Sequence, residues 1–305
     1  MGKIAFVFSG QGAQYGGMGR ELYDNIPESR EVFERADAIR PGTAEMCFGG
    51  SAEELSETKN TQPCMFAVEL AAAAAIAREG LTADCAAGFS LGEIAALTYT
   101  GAVDFDTGFR LVCRRGELMQ RDAEAVESAM AAVVKLSAAE VERICAELDG
   151  AYPVNYNCPG QISVACKKET IAELSARVKA AGGRAIPLKV RGGFHSPFMK
   201  NAAAGFGEAV RAANVSEPKI TLYSDYTALP YACDAAELLS RQICSPVRWQ
   251  TIIENMISAG VDTFVELGPG KTLCGLIGKI NAGVKTFHVE DMASLSEAVE
   301  GIKQC

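Results

Sequence analysis

The sequence predicts an α/β fold, in which a large domain with a mainly parallel sheet flanked by helices (a hydrolase-like core) carries a second, smaller domain. The apolar run at residues 4–8 leads into the glycine-rich stretch SGQGAQ, which is typical of a buried parallel strand that ends in a loop. Two further strands are predicted over 83–88 and 263–270. Four segments in the first part of the chain have helical composition: 18–38, 64–78, 91–98 and 105–119. This alternation favours a sheet covered by helices on both faces.

The pattern changes in the middle of the chain, and the change predicts the second domain. Strands and helices follow in the order β-α-β-β-α-β, with expected bounds 129–136, 137–148, 153–157, 161–166, 170–181 and 184–190. Ser137 followed by Glu140 forms the capping-box pattern that opens the first of these helices. The order is that of a ferredoxin-like unit. We therefore predict a small subdomain at 127–191, inserted into a large domain that comprises 1–126 and 192–305.

Composition and charge narrow the possible functions. The formal net charge of −9 argues against general nucleic-acid binding, which depends on Lys and Arg neutralising phosphates. The first apolar run is too short to span a membrane. The eleven cysteines are scattered, with no CxxC pair and no zinc-ligand spacing. We therefore expect reduced thiols in a cytoplasmic protein, with no metal and no cofactor.

Ser90 is the candidate nucleophile, because Gly88-Phe89-Ser90-Leu91-Gly92 fits the pattern G-x-S-x-G. A serine on a sharp strand-to-helix turn has a strained backbone, and neighbours without side chains relieve the crowding. The helix that follows offers free amide donors where an oxyanion would form. The pattern alone recurs by chance, but the predicted strand before it and the predicted helix after it favour a catalytic serine over a structural one.

A serine nucleophile needs a base, and the chain has only two histidines. His195 lies in the loop RGGFHSPFM, directly after the last strand of the predicted small domain. His288 lies in the strand-like stretch KTFHVED, where we expect a structural role. Loops at domain boundaries often carry catalytic residues, which favours His195 as the base for Ser90.

Eight stretches spread over nearly the whole chain carry a family resemblance: FVFSGQGAQYGGMG, TQP (61–63), GFSLGEIAAL, RRGELMQ (114–120), PVNYNCPGQISVA, GGFHSPFM, SPVRW (245–249) and VELGPGKTL (265–273). In these stretches and in their order the sequence resembles the malonyl-CoA:acyl carrier protein transacylases, the acyltransferase family of fatty acid and polyketide synthesis. The chain departs from the family pattern at Phe89, where histidine is usual, and at Ser9, where proline is usual. Arg248 stands where some members have glutamine.

The resemblance implies a catalytic dyad and a reaction. Ser90 attacks a thioester carbonyl and His195 takes its proton, while a backbone carbonyl near Arg248 orients the imidazole. The backbone amides of Gln11 and Leu91 form the oxyanion hole. The implied reaction moves malonyl from malonyl-CoA to Ser90 and then to the phosphopantetheine thiol of holo acyl carrier protein. This ping-pong sequence would supply fatty acid biosynthesis.

The resemblance also implies how the acyl group is chosen. Arg115, in the stretch R-G-x-x-M-Q, pairs with the free carboxylate of malonate, since a guanidinium binds a carboxylate through two parallel hydrogen bonds. Considered without the family pattern, Arg115 resembles an ordinary exposed helix cation. Phe194 is expected to line the acyl pocket and to crowd an α-methyl branch, which disfavours methylmalonyl-CoA. Gln62 and Phe89 are expected beside the same pocket.

The expected partners are malonyl-CoA and an acyl carrier protein, not nucleic acid or a membrane, and the protein is expected to be a monomer. Carrier proteins of this kind are acidic. Lys189, Arg191 and Lys200 flank the His195 loop and would form a basic rim for such a partner, although ordinary solvated side chains explain them equally well.

Three alternative functions are open from sequence. A serine thioesterase or hydrolase of the α/β-hydrolase type predicts the chain order Ser…Asp/Glu…His, and the inserted small unit and the R-G-x-x-M-Q stretch argue against it. A trans-acting acyltransferase of polyketide synthesis shares every feature described above. A carrier-binding scaffold with a dead site is disfavoured because Gln11, Ser90, Arg115 and His195 are all present.

Overall fold

Two separate sheets organise the protein, and the computed structural model describes residues 2–232 and 234–304. Over these residues the strands are β1 (Lys3–Phe8), β2 (Cys85–Gly88), β3 (Ser128–Val134), β4 (Ala151–Cys158), β5 (Gln161–Lys167), β6 (Arg184–Pro187), β7 (Thr221–Leu222), β8 (Val261–Leu267) and β9 (Lys285–Val289).

Helices surround both sheets. In chain order they are α1 (Arg20–Asn25), α2 (Pro27–Ile39), α3 (Thr43–Gly49), α4 (Ala52–Ser56), α5 (Thr58–Arg78), α6 (Gly92–Tyr99), α7 (Phe105–Ala125), α8 (Ala138–Ala146), α9 (Ile171–Ala180), α10 (Lys200–Ala212), α11 (Ala235–Ile243), α12 (Trp249–Ser258), α13 (Thr272–Ile280) and α14 (Met292–Lys303). Short 3-10 turns cover 168–170 and 197–199.

The larger sheet is parallel throughout and has the strand order β7-β2-β1-β8-β9. Its central strand, β1, is buried from Ile4 onwards because it is covered on both faces, which explains its unbroken apolar sequence. The register places the last residues of three strands side by side, with Phe8 paired to both Gly88 and Leu267. The loops that leave β1, β2 and β8 therefore emerge together at the carboxyl edge of the sheet, where open α/β sheets bind their ligands.

The smaller sheet is antiparallel, with the order β4-β5-β3-β6. Together with α8 and α9 it has the β-α-β-β-α-β connectivity expected from sequence, so the predicted fold class is confirmed. A separate apolar core that includes Val133, Ile144, Val164 and Leu174 lies between this sheet and its two helices. All four strands fall within 127–191, and we propose those limits as the boundaries of the subdomain.

A backbone connection joins the small sheet to the large domain. The amide of Val247 donates to the carbonyl of Val154 at 2.9 Å, and the amide of Tyr156 donates to the carbonyl of Val247 at 2.9 Å. Through these two bonds the segment that precedes α12 pairs alongside β4. They fix the subdomain against the large domain beside the carboxyl edge of the parallel sheet.

Three predicted helices differ from those observed, and the one expected over 105–119 continues to Ala125 as α7. The single helix expected over 18–38 is broken into α1 and α2, because Ile26 is extended (φ −121°, ψ 111°) before Pro27, which begins the second helix. The helix expected over 64–78 begins at Thr58, and Pro63 lies within its first turns. At this position the proline lacks the amide that would bond to the carbonyl of Lys59, so the helix continues past it with one hydrogen bond fewer.

The structure describes nine of the eleven cysteines. The nine cysteines other than Cys233 and Cys305, which lie outside the described residues, are free thiols. Over 2–232 and 234–304, no helix combines the length and apolarity needed to cross a bilayer.

Candidate active site

The candidate nucleophile lies on a sharp turn between β2 and α6. Ser90 has a positive φ of 59°, a strained conformation for a residue with a side chain. The two flanking glycines are required by space, because a Cβ on Gly88 would lie 1.9 Å from the carbonyl carbon of Gly92, and one on Gly92 would lie 2.4 Å from the carbonyl oxygen of Phe8. The G-x-S-x-G spacing therefore reflects the close packing of this turn on the end of β1.

The structure brings His195 to Ser90 across 105 residues of sequence. The Nε2 atom of His195 is 2.7 Å from Ser90 Oγ. The other ring nitrogen, Nδ1, is 2.8 Å from the backbone carbonyl of Gln242. Because a carbonyl oxygen can only accept, Nδ1 carries the proton and Nε2 is left to accept the proton of the serine hydroxyl. This is the tautomer that a general base needs.

The imidazole is held in its neutral form. Burial, and then the positive charge of Arg115, lower the pKa of His195 to about 3, and the bond to Gln242 only partly opposes them. His195 is 3% exposed, so water does not compensate a positive charge on the ring. The base is thus ready to accept a proton at neutral pH, but its protonated form is disfavoured by burial and by the nearby positive charge of Arg115.

One part of the predicted dyad is wrong. The carbonyl that orients His195 belongs to Gln242 on α11 and not to Arg248. The main chain of Arg248 has other partners, since its carbonyl accepts the amide of Ile252 in the first turn of α12 and its amide donates to the carbonyl of Asp225. The helical conformation that begins at this point therefore directs the Arg248 carbonyl along α12 and away from the imidazole.

Arg115 is fully buried on α7 and lies directly against the candidate nucleophile. Its Nη2 atom donates to Ser90 Oγ at 3.2 Å and to the side-chain oxygen of Gln242 at 2.8 Å. Within the described part of the chain, Nε and Nη1 are buried without an acceptor. Burial lowers the pKa of Arg115 to about 10, against the opposing effect of Glu93 and Asp225, so the side chain is cationic at neutral pH. A buried cation with unused donors is suited to an anionic ligand.

The two predicted oxyanion donors lie on either side of the turn. Leu91 is the N-cap residue of α6, and Gln11 lies in the loop after β1 between Gly10 and Gly12. A Cβ on Gly10 would be 2.7 Å from the ring of Phe89, so glycine allows this loop to approach the serine turn. Neither the Gln11 amide nor the Leu91 amide donates to another group within residues 2–232 and 234–304.

A cleft of about 250 Å³ opens over Ser90 between the two domains. The predicted site residues that line it are Gln11, Gln62, Phe89, Ser90, Phe194 and His195. The small sheet contributes Met130, Asn155 and Asn157 to the opposite wall. The structure thus places both predicted pocket aromatics and both dyad residues around one space, with Arg115 and Leu91 buried immediately behind it.

The departures from the family pattern are accommodated in this neighbourhood. Phe89 packs edge-to-face on Trp249, with the ring centroids 5.5 Å apart. The amide of Ser9 donates to the carbonyl of Leu267 at 3.2 Å, a bond between neighbouring strand ends that a proline at this position would lack. The side chains at both positions thus support the packing of the loops around the cleft.

Three residues of the site were missed from sequence. Gln242 orients His195 with its carbonyl and contacts Arg115 with its side chain. Asp225 accepts the backbone amide of Ser90 at 2.7 Å, and Glu93 lies beside Asp225 and Gln242. Glu93 had a local signal, because a carboxylate three residues after the serine occupies the first turn of α6. Asp225 and Gln242 had none, since only the tertiary fold brings them to the serine.

The basic residues that flank the His195 loop are exposed, and two of them alternate with residues that line the cleft. Leu188 and Val190 line the cleft, while the alternating residues Lys189 and Arg191 are exposed, as is Lys200 at the start of α10. None of the three basic side chains forms a salt bridge with another described residue.

Comparison with known proteins gives a consistent result. Residues 5–297 match the family model described as the acyl transferase domain. The malonyl CoA-acyl carrier protein transacylase of Bacillus subtilis (strain 168) is 37% identical over 312 residues, an alignment that covers 100% of this chain and 98% of the relative. The protein of the same name from Staphylococcus aureus (strain MRSA252) is 35% identical over 301 residues, covering 96% and 97% of the two chains.

Solved structures agree in fold as well as in sequence. The malonyl CoA-acyl carrier protein transacylase of Clostridium perfringens superposes with a TM-score of 0.95 at 35% identity, covering 99% of this chain and 98% of the other. A malonyl-transacylase solved in complex with its type II PKS acyl-carrier protein superposes with a TM-score of 0.93 at 33% identity, covering 98% and 99%. At these identities and coverages the similarity extends to the whole chain.

Proposed function

The chain belongs to the malonyl CoA-acyl carrier protein transacylase family of acyl transferase domains, and from that premise we propose that it transfers malonyl from malonyl-CoA to the phosphopantetheine thiol of an acyl carrier protein. The observation that carries the proposal is the convergence on one oxygen: Ser90 Oγ lies 2.7 Å from the His195 base and 3.2 Å from the Arg115 guanidinium. The base and the group that would bind the acyl carboxylate thus both contact the nucleophilic oxygen, so a short acyl chain on that oxygen can reach the guanidinium.

In the first half-reaction His195 Nε2 takes the hydroxyl proton of Ser90 while Oγ attacks the thioester carbonyl carbon. The carbonyl oxygen becomes an oxyanion, which the amides of Gln11 and Leu91 stabilise. Collapse of this intermediate breaks the carbon–sulfur bond, and the departing CoA sulfur takes the proton from His195. The products are malonyl-Ser90, free CoA and a neutral imidazole.

The second half-reaction runs through the same groups in reverse. His195 removes the proton of the phosphopantetheine thiol, and the sulfur attacks the ester carbonyl of malonyl-Ser90. The same two amides hold the oxyanion. When the carbon–oxygen bond breaks, Ser90 Oγ recovers its proton from His195, which leaves malonyl on the carrier. The main-chain carbonyl of Gln242 keeps the ring in one tautomer throughout.

Arg115 gives the site its preference for a dicarboxylic acyl group. The free carboxylate of malonyl-Ser90 is separated from Oγ by only two carbon atoms, so it remains near the guanidinium whose Nη2 contacts that same Oγ. Its binding satisfies buried donors that otherwise have no acceptor. It also neutralises the charge that depresses the basicity of His195, so that a malonyl group favours the proton transfer that its own transfer requires.

Phe194 limits the size of the acyl group. It lies directly before the base, is 7% exposed and lines the cleft with Gln62 and Phe89. Replacing Phe194 with Ser is expected to raise kcat/KM for methylmalonyl-CoA relative to malonyl-CoA by about 10-fold, because it makes room for one α-methyl group. Parallel assays with the two thioesters measure this ratio. Comparable turnover of both substrates by the wild-type protein would contradict the assignment.

The carrier protein is expected to dock on the basic rim formed by Lys189, Arg191 and Lys200. Reversing all three charges to Glu is expected to raise KM for the carrier at least about 10-fold while leaving KM for malonyl-CoA within about 2-fold, since rim charges act mainly on association with a charged macromolecule. Steady-state kinetics at low and moderate salt measure both constants. An unchanged KM for the carrier would place the docking surface elsewhere.

The experiment that tests the function follows the acyl group by intact mass spectrometry. Purified protein mixed with malonyl-CoA should gain one malonyl group, and addition of holo carrier protein should remove it and yield malonyl carrier. Carrier protein without phosphopantetheine is the matched control, because it offers the same surface but no thiol. Release of free malonate at the same rate with either form would instead identify a hydrolase.

The group that orients His195 argues against the hydrolase alternative. In the α/β-hydrolase arrangement a carboxylate orients the histidine, whereas Nδ1 of His195 donates to the backbone carbonyl of Gln242.

We further propose that the protein is cytoplasmic, acts as a monomer and serves fatty acid biosynthesis. Polyketide synthesis is the second candidate pathway, because one similar transacylase was solved with a type II PKS acyl-carrier protein.

A further inference from the structure

Two buried carboxyl groups lie directly behind the nucleophile, and the reaction described above does not use them. Glu93 and Asp225 are both fully buried. Both oxygens of Glu93 accept hydrogen bonds, Oε1 from the hydroxyl of Tyr231 at 2.6 Å and Oε2 from Nε2 of Gln242 at 3.0 Å. This is the pattern of an ionised carboxylate.

Asp225 has a different pattern. Its Oδ2 accepts the backbone amide of Ser90 at 2.7 Å and lies 3.2 Å from Nε2 of Gln242. Its Oδ1 is buried and receives no hydrogen bond from any described residue. The carboxyl groups of Asp225 and Glu93 both lie against the same atom, Nε2 of Gln242, at 3.2 Å and 3.0 Å. One oxygen without a donor, beside a carboxylate that can accept, is the pattern of a protonated acid.

The charges of the site balance only if one of the two carboxyls is neutral. Arg115 supplies one buried positive charge, and Gln242 bridges it to Glu93, accepting from Arg115 Nη2 at 2.8 Å and donating to Glu93 Oε2 at 3.0 Å. One carboxylate compensates one guanidinium, whereas two would leave a net negative charge beside the place where an anionic acyl group must bind.

We propose that Glu93 and Asp225 act as a pair of positioning residues that shares a single proton, with Asp225 as the acid and Glu93 as the carboxylate that balances Arg115. The pair holds the amide of Ser90 through Asp225 and the side chain of Gln242 through both members. Since Gln242 also donates to the carbonyl of Ser90 at 2.6 Å and orients His195, the pair fixes nucleophile, base and guanidinium relative to one another. The inference rests on the proposed function for its catalytic consequence.

The electrostatics of the site agree with this assignment. Burial raises the pKa of both carboxyls, and the neighbouring Glu93 raises that of Asp225 further. Among the described residues, Arg115 on α7 and Tyr231 are the other titratable groups that interact with the pair, and Arg115 is cationic at neutral pH. His195 is connected to the pair through Ser90 and Gln242 and is held in its neutral form.

The first test uses stability, which does not depend on any acyl transfer. Folding raises the pKa of Asp225, so above the ordinary Asp value of 3.8 this carboxyl is ionised in the unfolded chain and protonated in the folded protein. Folding must then take up a proton, and the free energy of unfolding of the wild type falls as pH rises above that value. In Asp225→Asn the amide oxygen accepts from Ser90 and the NH₂ donates to Glu93, with no proton uptake. We expect Tm of this variant to exceed that of wild type by at least about 3 °C at pH 8, and the gain to vanish near pH 4.

The second test uses the rate at which malonyl-Ser90 forms. Asp225→Leu keeps the size of the side chain but removes the acceptor for the Ser90 amide, and we expect it to lower the rate at least about 10-fold. Asp225→Asn should recover most of that loss, because it keeps the hydrogen-bond pattern. If the Leu variant does not fold, Glu93→Gln/Asp225→Asn replaces it: this double variant leaves Arg115 without a counter-charge, and its Tm at pH 7 should fall below that of Asp225→Asn.

The outcomes separate this inference from the proposed function. An Asn variant that is no more stable than wild type at pH 8, or one as slow as the Leu variant, would overturn the shared proton, because Asp225 would then act as a carboxylate. If wild type forms no malonyl adduct while the Asn variant shows the pH-dependent gain in Tm, the proposed function fails and the proton-sharing pair stands.

Discussion

Ser90→Ala is expected to abolish the malonyl adduct and to lower transfer to the carrier protein by about 10⁴-fold or more, because Ser90 carries the hydroxyl that contacts the base His195. Intact mass spectrometry after mixing with malonyl-CoA measures the adduct directly. The methyl group fits where the hydroxymethyl group was, so the fold is preserved and the loss reports on chemistry. A malonyl adduct of undiminished yield on the variant would place the nucleophile elsewhere.

His195 offers a matched pair of variants, because the chain has one other histidine. His195→Ala is expected to slow adduct formation by about 10³-fold, within the range for loss of a general base. His288→Ala is the control: His288 lies in β9 on the far side of β8, where its Nε2 is 3.7 Å from Glu290. The double variant Ser90→Ala/His195→Ala should be no slower than Ser90→Ala alone, since the two residues act on one step. Additive losses would mean that His195 does not act through Ser90.

Arg115→Ala is expected to lower kcat/KM for malonyl-CoA by about 10² to 10⁴-fold and to raise the rate with acetyl-CoA. The first effect follows from loss of the carboxylate receptor. The second follows because the variant removes the charge that lowers the pKa of His195. Competition between malonyl-CoA and acetyl-CoA, with the acyl-serine products separated by mass, gives the ratio in a single experiment.

Arg114→Ala is the control for this prediction. The two arginines are neighbours on α7, but Arg114 is half-exposed and its nearest anion is Glu117 at 3.4 Å. It should leave the selectivity unchanged, since an exposed ion pair contributes little. If Arg115→Ala instead lowered the rates with malonyl-CoA and acetyl-CoA equally, Arg115 would be a structural residue of the Ser90 turn and not the receptor for the acyl carboxylate.

The charge balance around Ser90 links these predictions. In the free protein, one carboxylate of the Glu93 and Asp225 pair compensates Arg115 through the side chain of Gln242. A malonyl carboxylate adds a second anion and pairs with donors that are otherwise unused. An acetyl group cannot do so, and leaves those donors of Arg115 without an acceptor. Selectivity is therefore expected in the rate of acyl transfer as well as in substrate binding.

What the sequence determined by itself was local. The spacing of Gly88, Ser90 and Gly92 specified the sharp turn, because a side chain on Gly88 would meet the backbone of Gly92, and one on Gly92 would meet the end of β1. The order of strands and helices predicted the small sheet and strands β1, β2 and β8 of the large one, since those apolar runs have the length and period of their elements, whereas the two-residue strand β7 was not predicted. Ser90 was identifiable from its G-x-S-x-G motif and His195 from its loop position in a chain with two histidines, whereas Arg115 was identified only through the family resemblance.

What only the tertiary structure decided was which distant groups meet. Arg248 was expected to orient His195 from its position in a motif, but the start of α12 directs its carbonyl into the helix, and Gln242 on α11 takes that place. Asp225 and Gln242 reach Ser90 from 135 and 152 residues away. No local pattern encodes such an approach. It results from the packing of α11 and the loop after β7 against the serine turn, and the buried charges there are balanced only once the whole chain has folded.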